Sequence, residues 1–368
     1  MGVALLGMGI CGFTPTSTGL SYREMIAKAA KMAYRDAGVT IDLIDGAVSA
    51  EEDFPSGYSI ADEYVPDQLG MVRKPVYTIP GDFMHAVASA AMQIQTGHYD
   101  ILVVESYSKA SNMLTKDEMV RFAYDPVFNR FGVSPHWLAG LELNSFLREA
   151  QCTIDEVAEI VVQNRAAAID NSNAPYGDSF SIDDVIDSRP VSLPLTELMH
   201  AQYADGAVIA VLGTDEAARK YARKPMYFSG IGWGSGNSIL ERRDHSFSAG
   251  TAIAAVRAYQ EAGIKSAEIE VDAFFVSDIY AHRQLMHMEA LGVNSHDGLT
   301  INPNGGALGG GDLLEATGGA RLYEALSQLR GEAGRCRIDA ERVLVHAWRG
   351  VPTDSCVVAI LDNERRTL

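Results

Sequence analysis

The chain carries a version of itself. Residues Ala33 to Val39 read AYRDAGV, and Ala258 to Ile264 read AYQEAGI. Each stretch ends a helical run with a glycine, the residue that best adopts the left-handed backbone of a helix stop. Each is followed by a short apolar segment, Ala47-Val48 in one case and Ala273-Phe274-Phe275-Val276 in the other. A second matched pair, DGAVIAVL at Asp205 to Leu212 and DSCVVAIL at Asp354 to Leu361, closes each half. Both read as strands buried on two faces. The opening strand matches Met226 to Gly232. The helix from Ala86 to Gly97 with strand Ile101 to Glu105 matches the helix from Ala316 to Gly331 with strand Val343 to His346. Each half therefore reads strand, helix, strand, helix, strand, strand, over about 1–215 and 225–368. Such an order calls for mixed sheets with helices between and outside them. The first half is longer by an insertion at roughly 108–200, rich in Asn, Pro and polar turns.

Charge narrows the partners. With 30 Lys and Arg against 48 Asp and Glu the net charge is −18, which repels a phosphate backbone and argues against nucleic acid. No apolar run is long enough to span a membrane. The opening MGVALLGMGI lacks a basic leader and reads as a buried strand, not a signal peptide. Cys11, Cys152, Cys336 and Cys356 form neither a CxxC pair nor a metal-ligand spacing. No metal site is expected, and scattered cysteines suit a reducing cytoplasm. Gly7 to Gly12 fits GxGxxG, but a dinucleotide site needs a helix to start at once. Here Pro15 to Gly19 intervene and the helix starts near Tyr22, so the match is accidental.

Asn302 to Gly318, NPNGGALGGGDLLEATG, follows the NPSGG…GHPLGATG pattern of sterol-carrier-protein type thiolases without a gap. The QLRGEAG continuation stands at Gln328 to Gly334. Ser277-Asp278-Ile279-Tyr280 takes the place of HDCF, and Glu289 to Gly292 that of EALG. The chain resembles this family over nearly its whole length. The resemblance implies an α/β thiolase fold: an internally duplicated, five-layer α-β-α-β-α arrangement of two mixed sheets. It further implies an acyl-CoA ester as substrate, no covalently bound cofactor, and a homodimer or a heteromer with a thiolase-like chain. Many relatives of this type work with a small zinc-ribbon/OB-fold protein, and the resemblance implies such a partner here.

The departures bear on chemistry. Asp312 stands at the GHP histidine and Ser277 at the HDCF histidine. The nucleophilic cysteine of the family falls at Pro80, within two residues, in the stretch IPGDFMH from Ile79 to His85; no cysteine lies between Cys11 and Cys152. Acyl transfer needs a thiolate, lowered in pKa at a helix N-terminus, and a base to generate it. Proline offers no nucleophile, and aspartate is no substitute for a neutral imidazole donor. The aldolases of steroid side-chain degradation, which this chain resembles in lacking the cysteine, cleave a carbon–carbon bond beside a CoA thioester. In them tyrosines take both histidine places; here Tyr280 is only close to the second.

Candidate residues follow. Asp312, after Gly309-Gly310-Gly311, reads as a general base or as the cap of a helix beginning near Leu313. Gly310 and Gly311 let backbone approach a ligand. Asp82 and His85, three apart on one helix face, read as a dyad or as a cap and a packed ring. His346 ends its strand in the place of the family's HN and is expected to reach the pocket floor. Ser277, Asp278 and Tyr280 follow a buried strand, as site or turn residues. Asn304, Gly305 and Gly306 form the NPxGG turn, a loop first and an oxyanion or water site second. In the insertion, Tyr124, Phe128, Phe131, Trp137 and Leu138 read as an apolar pocket lining or a satellite core. Three functions fit: an enzyme acting beside an acyl-CoA carbonyl without cysteine, a non-catalytic subunit of an active thiolase-like chain, or a CoA-ester binding scaffold.

Overall fold

A computed structural model describes residues 2–52, 61–112, 127, 130, 132–150, 152–293, 298–350 and 354–366. Its main sheet has nine strands: β1 (Val3–Thr14), β2 (Gly46–Ala50), β3 (Val76–Ile79), β4 (Ile101–Lys109), β7 (Asp205–Thr214), β8 (Met226–Ser235), β9 (Ala273–Phe275), β10 (Arg342–Trp348) and β11 (Ser355–Asp362), while β5 (Pro190–Ser192) and β6 (Leu195–Thr196) make a small hairpin. The order is β3-β2-β4-β7-β1-β8-β11-β10-β9. The duplication shows in the pairing. In the first half β2 and β4 are parallel, and β4, β7 and β1 antiparallel; in the second β9 and β10 are parallel, and β10, β11 and β8 antiparallel.

The two strand sets expected as separate sheets are joined. Val3, Ala4 and Leu5 of β1 pair with Phe228, Tyr227 and Met226 of β8. This three-residue seam makes one continuous sheet.

Five layers result. The helix Tyr22–Ala37 buries Met25, Ile26, Ala29, Ala30, Ala33, Tyr34 and Ala37, the three-and-four spacing of an outer helix with one apolar face. Ser21 and Glu24 close a capping box at its start, and Gly38 (φ 67°) ends it. Helix Ala249–Ala262 covers the second half in the same way. The helices Phe83–Gln95 and Thr317–Leu329 lie in the middle; Phe83 and Val87 of the first and Leu322 of the second share one core with β-strand residues Val48, Val208, Val343 and Val357 from both halves. A helix walled in on every side has to be apolar nearly all round, and 83–91 is, whereas Met92 in the last turn is exposed.

The glycines of the false dinucleotide motif have a packing role. A Cβ at Gly9 would lie 2.1 Å from the Ala29 carbonyl oxygen, and one at Gly232 of β8 would lie 1.9 Å from that of Ala254. Each half thus presses its outer helix onto a glycine-bearing strand.

The insertion contributes the helices Pro135–Glu149 and Ile154–Ala168 and the β5–β6 hairpin. Leu138 is buried, whereas Trp137 is 48% exposed; neither belongs to the pocket described below. Tyr124, Phe128 and Phe131 lie outside the described residues. No helix among the described residues is long and apolar enough to cross a membrane.

Candidate functional site

The heads of the two central helices meet at one carboxyl group. β3 ends at Ile79, Pro80 is exposed, and Asp82 becomes the N-cap of helix 83–95. Its Oδ1 accepts from Met84 N at 2.9 Å, and its Oδ2 accepts from Gly318 N, in the first turn of helix 317–329, also at 2.9 Å. A Cβ on Gly318 would fall 1.9 Å from Oδ1, so only glycine lets the carboxyl in. Burial pushes the Asp82 carboxyl up to about 6, although Arg321 and the two N–H groups pull it down; Asp312 adds repulsion.

Asp82 and His85 do not form a dyad. The cap carboxyl turns back to the N–H groups at the helix ends. The His85 ring instead reaches towards β8 and β11, with Nε2 3.0 Å from Ser355 Oγ and its edge on Trp233. Burial and then Arg349 lower its pKa to about 4, so the ring is neutral near pH 7.

Beyond β9, Asp278 has a scaffold role. Its carboxylate accepts from Ala307 N (2.7 Å), Leu308 N (3.0 Å) and Asn164 Nδ2 (2.8 Å), pinning the short helix Gly306–Gly310. Burial raises its pKa, opposed by Arg321. Asn302 ties the NPNGG turn to β9: its Oδ1 accepts from Val276 N at 2.9 Å and its Nδ2 donates to Val276 O at 3.1 Å. Tyr280 is buried elsewhere, its hydroxyl 3.3 Å from His136 Nδ1 and its ring among His200, His282 and Trp348.

His346 does not reach the pocket lining. Side chains alternate along β10, and Val345 and Ala347 face the central layer. His346 therefore faces the outer layer, where Nδ1 accepts from Ser277 N (3.3 Å) and Nε2 lies 3.0 Å from Thr251 Oγ1, itself 2.9 Å from His287 Nδ1. Burial holds both imidazoles well below their usual pKa. His346 thus fixes the backbone at Ser277.

A pocket opens beside the helix heads. Its walls include Phe13, Phe275, Leu313 and Ala320 on the apolar side and Asn304, Thr317, Arg321 and Glu324 on the polar side. Gly306, Gly310 and Gly311 also line it, with Asn171, Asn173, Asn302 and Ala307, so the structure gathers Asn304 and three of the four candidate glycines around one pocket. Gly305 faces helix 154–168, where a Cβ would strike Ala168. Asp312 is not part of the lining; its Oδ1 accepts from Leu314 N (2.9 Å) and Thr317 Oγ1 (3.3 Å), which is capping.

Two pocket residues escaped the sequence reading. Arg321 is 4% exposed, donates from Nη2 to Ser277 Oγ at 3.2 Å, and has a buried Nε without a hydrogen-bond partner. Glu324 accepts from Asn171 Nδ2 (3.1 Å) and Asn304 Nδ2 (2.6 Å), and burial pushes it up to about 7. The signal was available: Thr317, Ala320, Arg321 and Glu324 share one face of a central helix, where charge is out of place.

No thiol stands at the helix head. Cys356 is buried against Thr251 and Ser248 and pushed up to about 12 by burial. Among the described residues no group of three or more His, Cys, Asp or Glu is placed to hold a metal. The pocket holds a carboxyl near neutrality, Glu324, and a guanidinium with an unused N–H, Arg321, while Asp82 is buried at the helix heads outside the lining; such groups suit proton transfer and the holding of a developing oxyanion.

Residues 234–363 match the family model described as Thiolase C-terminal domain-like. The chain is 26% identical to an acetyl-CoA acetyltransferase of Methanothermobacter thermautotrophicus, covering 91% of this chain and 94% of that one. It is 25% identical to a 17-hydroxy-3-oxo-4-pregnene-20-carboxyl-CoA lyase of Mycobacterium tuberculosis, covering 96% and 98%. Among solved structures it superposes on an Ltp2-ChsH2(DUF35) aldolase with a TM-score of 0.86 at 23% identity, covering 99% and 98%.

Proposed function

We propose that this thiolase-fold chain makes or breaks the carbon–carbon bond beside the carbonyl of an acyl-CoA by an aldol or retro-aldol route that needs no cysteine. One observation carries the reading. Where the thiolase nucleophile is expected, the chain has Asp82, a buried carboxyl shared by two helix heads with its pKa raised to about 6.

In the cleavage direction, the proton of a β-hydroxyl passes to the Asp82 carboxylate. The oxygen–hydrogen pair becomes the new carbonyl, the bond between Cα and Cβ breaks, and its electrons move onto the thioester as an enolate. Arg321 and the helix heads hold that oxyanion until Cα takes a proton. No bond to the protein forms. The likeness to a CoA lyase and to an aldolase complex supports this class of reaction. The name of the latter also supports a second chain as partner; we assign that role to a small zinc-ribbon/OB-fold protein.

The competing reading is a non-catalytic subunit of an active thiolase-like chain. It is favoured by His85 and His346, which are both committed to contacts away from the pocket.

The test is Asp82→Asn, whose amide oxygen keeps one of the two helix-head bonds and whose NH2 group meets the other N–H, so folding is checked by melting temperature. With a β-hydroxyacyl-CoA and the reconstituted partner, kcat for bond cleavage falls about 100-fold or more. Full activity in this variant removes Asp82 from the mechanism. A wild-type complex that cleaves only when a cysteine-bearing thiolase chain is present establishes the supporting-subunit reading instead.

A further inference from the structure

Gly310 is a glycine that the fold does not require. Its neighbours differ. Gly311 has φ +98°, Gly309 lies where a Cβ would come within 2.3 Å of Ala168, and Gly306 where one would come within 2.2 Å of Asp278. Gly310 lies in the helix Gly306–Gly310 outside the left-handed region, and a Cβ there would meet no heavy atom within 4 Å. Glycine is a poor helix residue and an alanine would fit. What the missing side chain leaves open is the pocket that Gly310 borders.

An independent feature points to what enters. Arg321 borders the same pocket, is 4% exposed, and has a buried Nε–H with no acceptor. A buried, unsatisfied donor on a charged group is costly unless an incoming oxygen meets it. Phe13, Phe275, Leu313 and Ala320 give the pocket an apolar part beside the polar group of Asn304, Thr317 and Glu324. The complementary ligand is a compact apolar group that ends in a carbonyl or carboxylate oxygen.

We infer that this pocket receives the apolar acyl group of the substrate with its carbonyl oxygen turned to the Arg321 guanidinium, and that Gly310 sets how large that group is. The inference rests on the acyl-CoA reading above for the source of the acyl group. A free carboxylic acid presents the same chemistry.

The test is calorimetric titration of the full chain and its Gly310→Ala and Gly310→Leu variants with three probes: acetyl-CoA, cyclohexanecarbonyl-CoA and free cyclohexanecarboxylate. Wild type is expected to bind the cyclohexane thioester more tightly than acetyl-CoA. Gly310→Leu weakens the larger ester about tenfold or more, the scale of a few unburied methylenes, and leaves acetyl-CoA within about twofold. Gly310→Ala is intermediate, with a melting temperature no lower than wild type.

If wild type binds both esters without preference, or the leucine changes both alike, the inference is overturned while the CoA reading stands. If neither ester binds but cyclohexanecarboxylate does, and the leucine variant excludes it, the pocket assignment holds and the CoA reading falls. If no probe binds, both fall.

Discussion

The two oxygens of Asp82 each serve a different helix, one from each half of the duplicated chain. This sharing is possible only because position 318 has no side chain. Gly318→Ala would set a methyl 1.9 Å from Oδ1; we expect a loss of about 1–3 kcal/mol from overpacking, read by urea denaturation. An unchanged midpoint would mean that Asp82 is not seated between the helix heads. The identity of Asp82 was legible in the sequence, as was its capping role. Its second partner was not, because Gly318 lies 236 residues away and no local pattern reports such a contact. Arg321 was legible in principle, since a guanidinium on the inner face of a core helix needs a reason.

At the scale of elements, helix 135–149 is pinned to the second half by one buried carboxylate. Glu142 Oε2 accepts from Arg283 Nε at 3.0 Å, Arg243 lies 3.8 Å from its other oxygen, and Arg283 stacks over Trp348. Burial alone would raise the Glu142 pKa, but Arg283, His282 and Arg243 hold it at about 2. Glu142→Gln removes the buried negative charge that both guanidinium groups face and is expected to cost about 3–5 kcal/mol. The check is equilibrium unfolding of the variant against wild type, and a loss under about 1 kcal/mol would show the network to be dispensable. The outer helix 22–37 and the paired strands were readable from spacing and caps. The direction of His346 was not. β10 is buried on both faces, so its alternation has no polar side to mark which face looks inward.

Over the whole molecule, several buried carboxyls hold their proton to higher pH than usual. Glu105 is pushed up to about 8, Glu324 to about 7 and Asp82 to about 6, each chiefly by burial. A carboxyl raised on folding gives stability that is complete below its unfolded value, near 4.5 for Glu, and is lost as pH rises through the folded value. Glu142 has the opposite sign: its contribution is present above about 4.5 and fades as pH falls towards about 2. The buried imidazoles of His85, His287 and His346, held below their usual range, oppose the raised carboxyls below about pH 6.5, so the melting temperature is expected to fall between about pH 7 and pH 9. Glu105→Gln, with the Ser49 hydroxyl still beside it, should flatten the upper part of that fall. A profile rising towards pH 9 would contradict the assignment.

The three-pair seam between β1 and β8 has a consequence in time. β1 is flanked by β7, ending at Thr214, and by β8, beginning at Met226, so both neighbours follow it by about two hundred residues. Until they arrive, an apolar strand waits with both edges open. Closure of loops that long is slow, and an open apolar edge invites wrong partners. The strand earliest in the sequence waits longest for its partners, and that interval is when this chain is most exposed to aggregation.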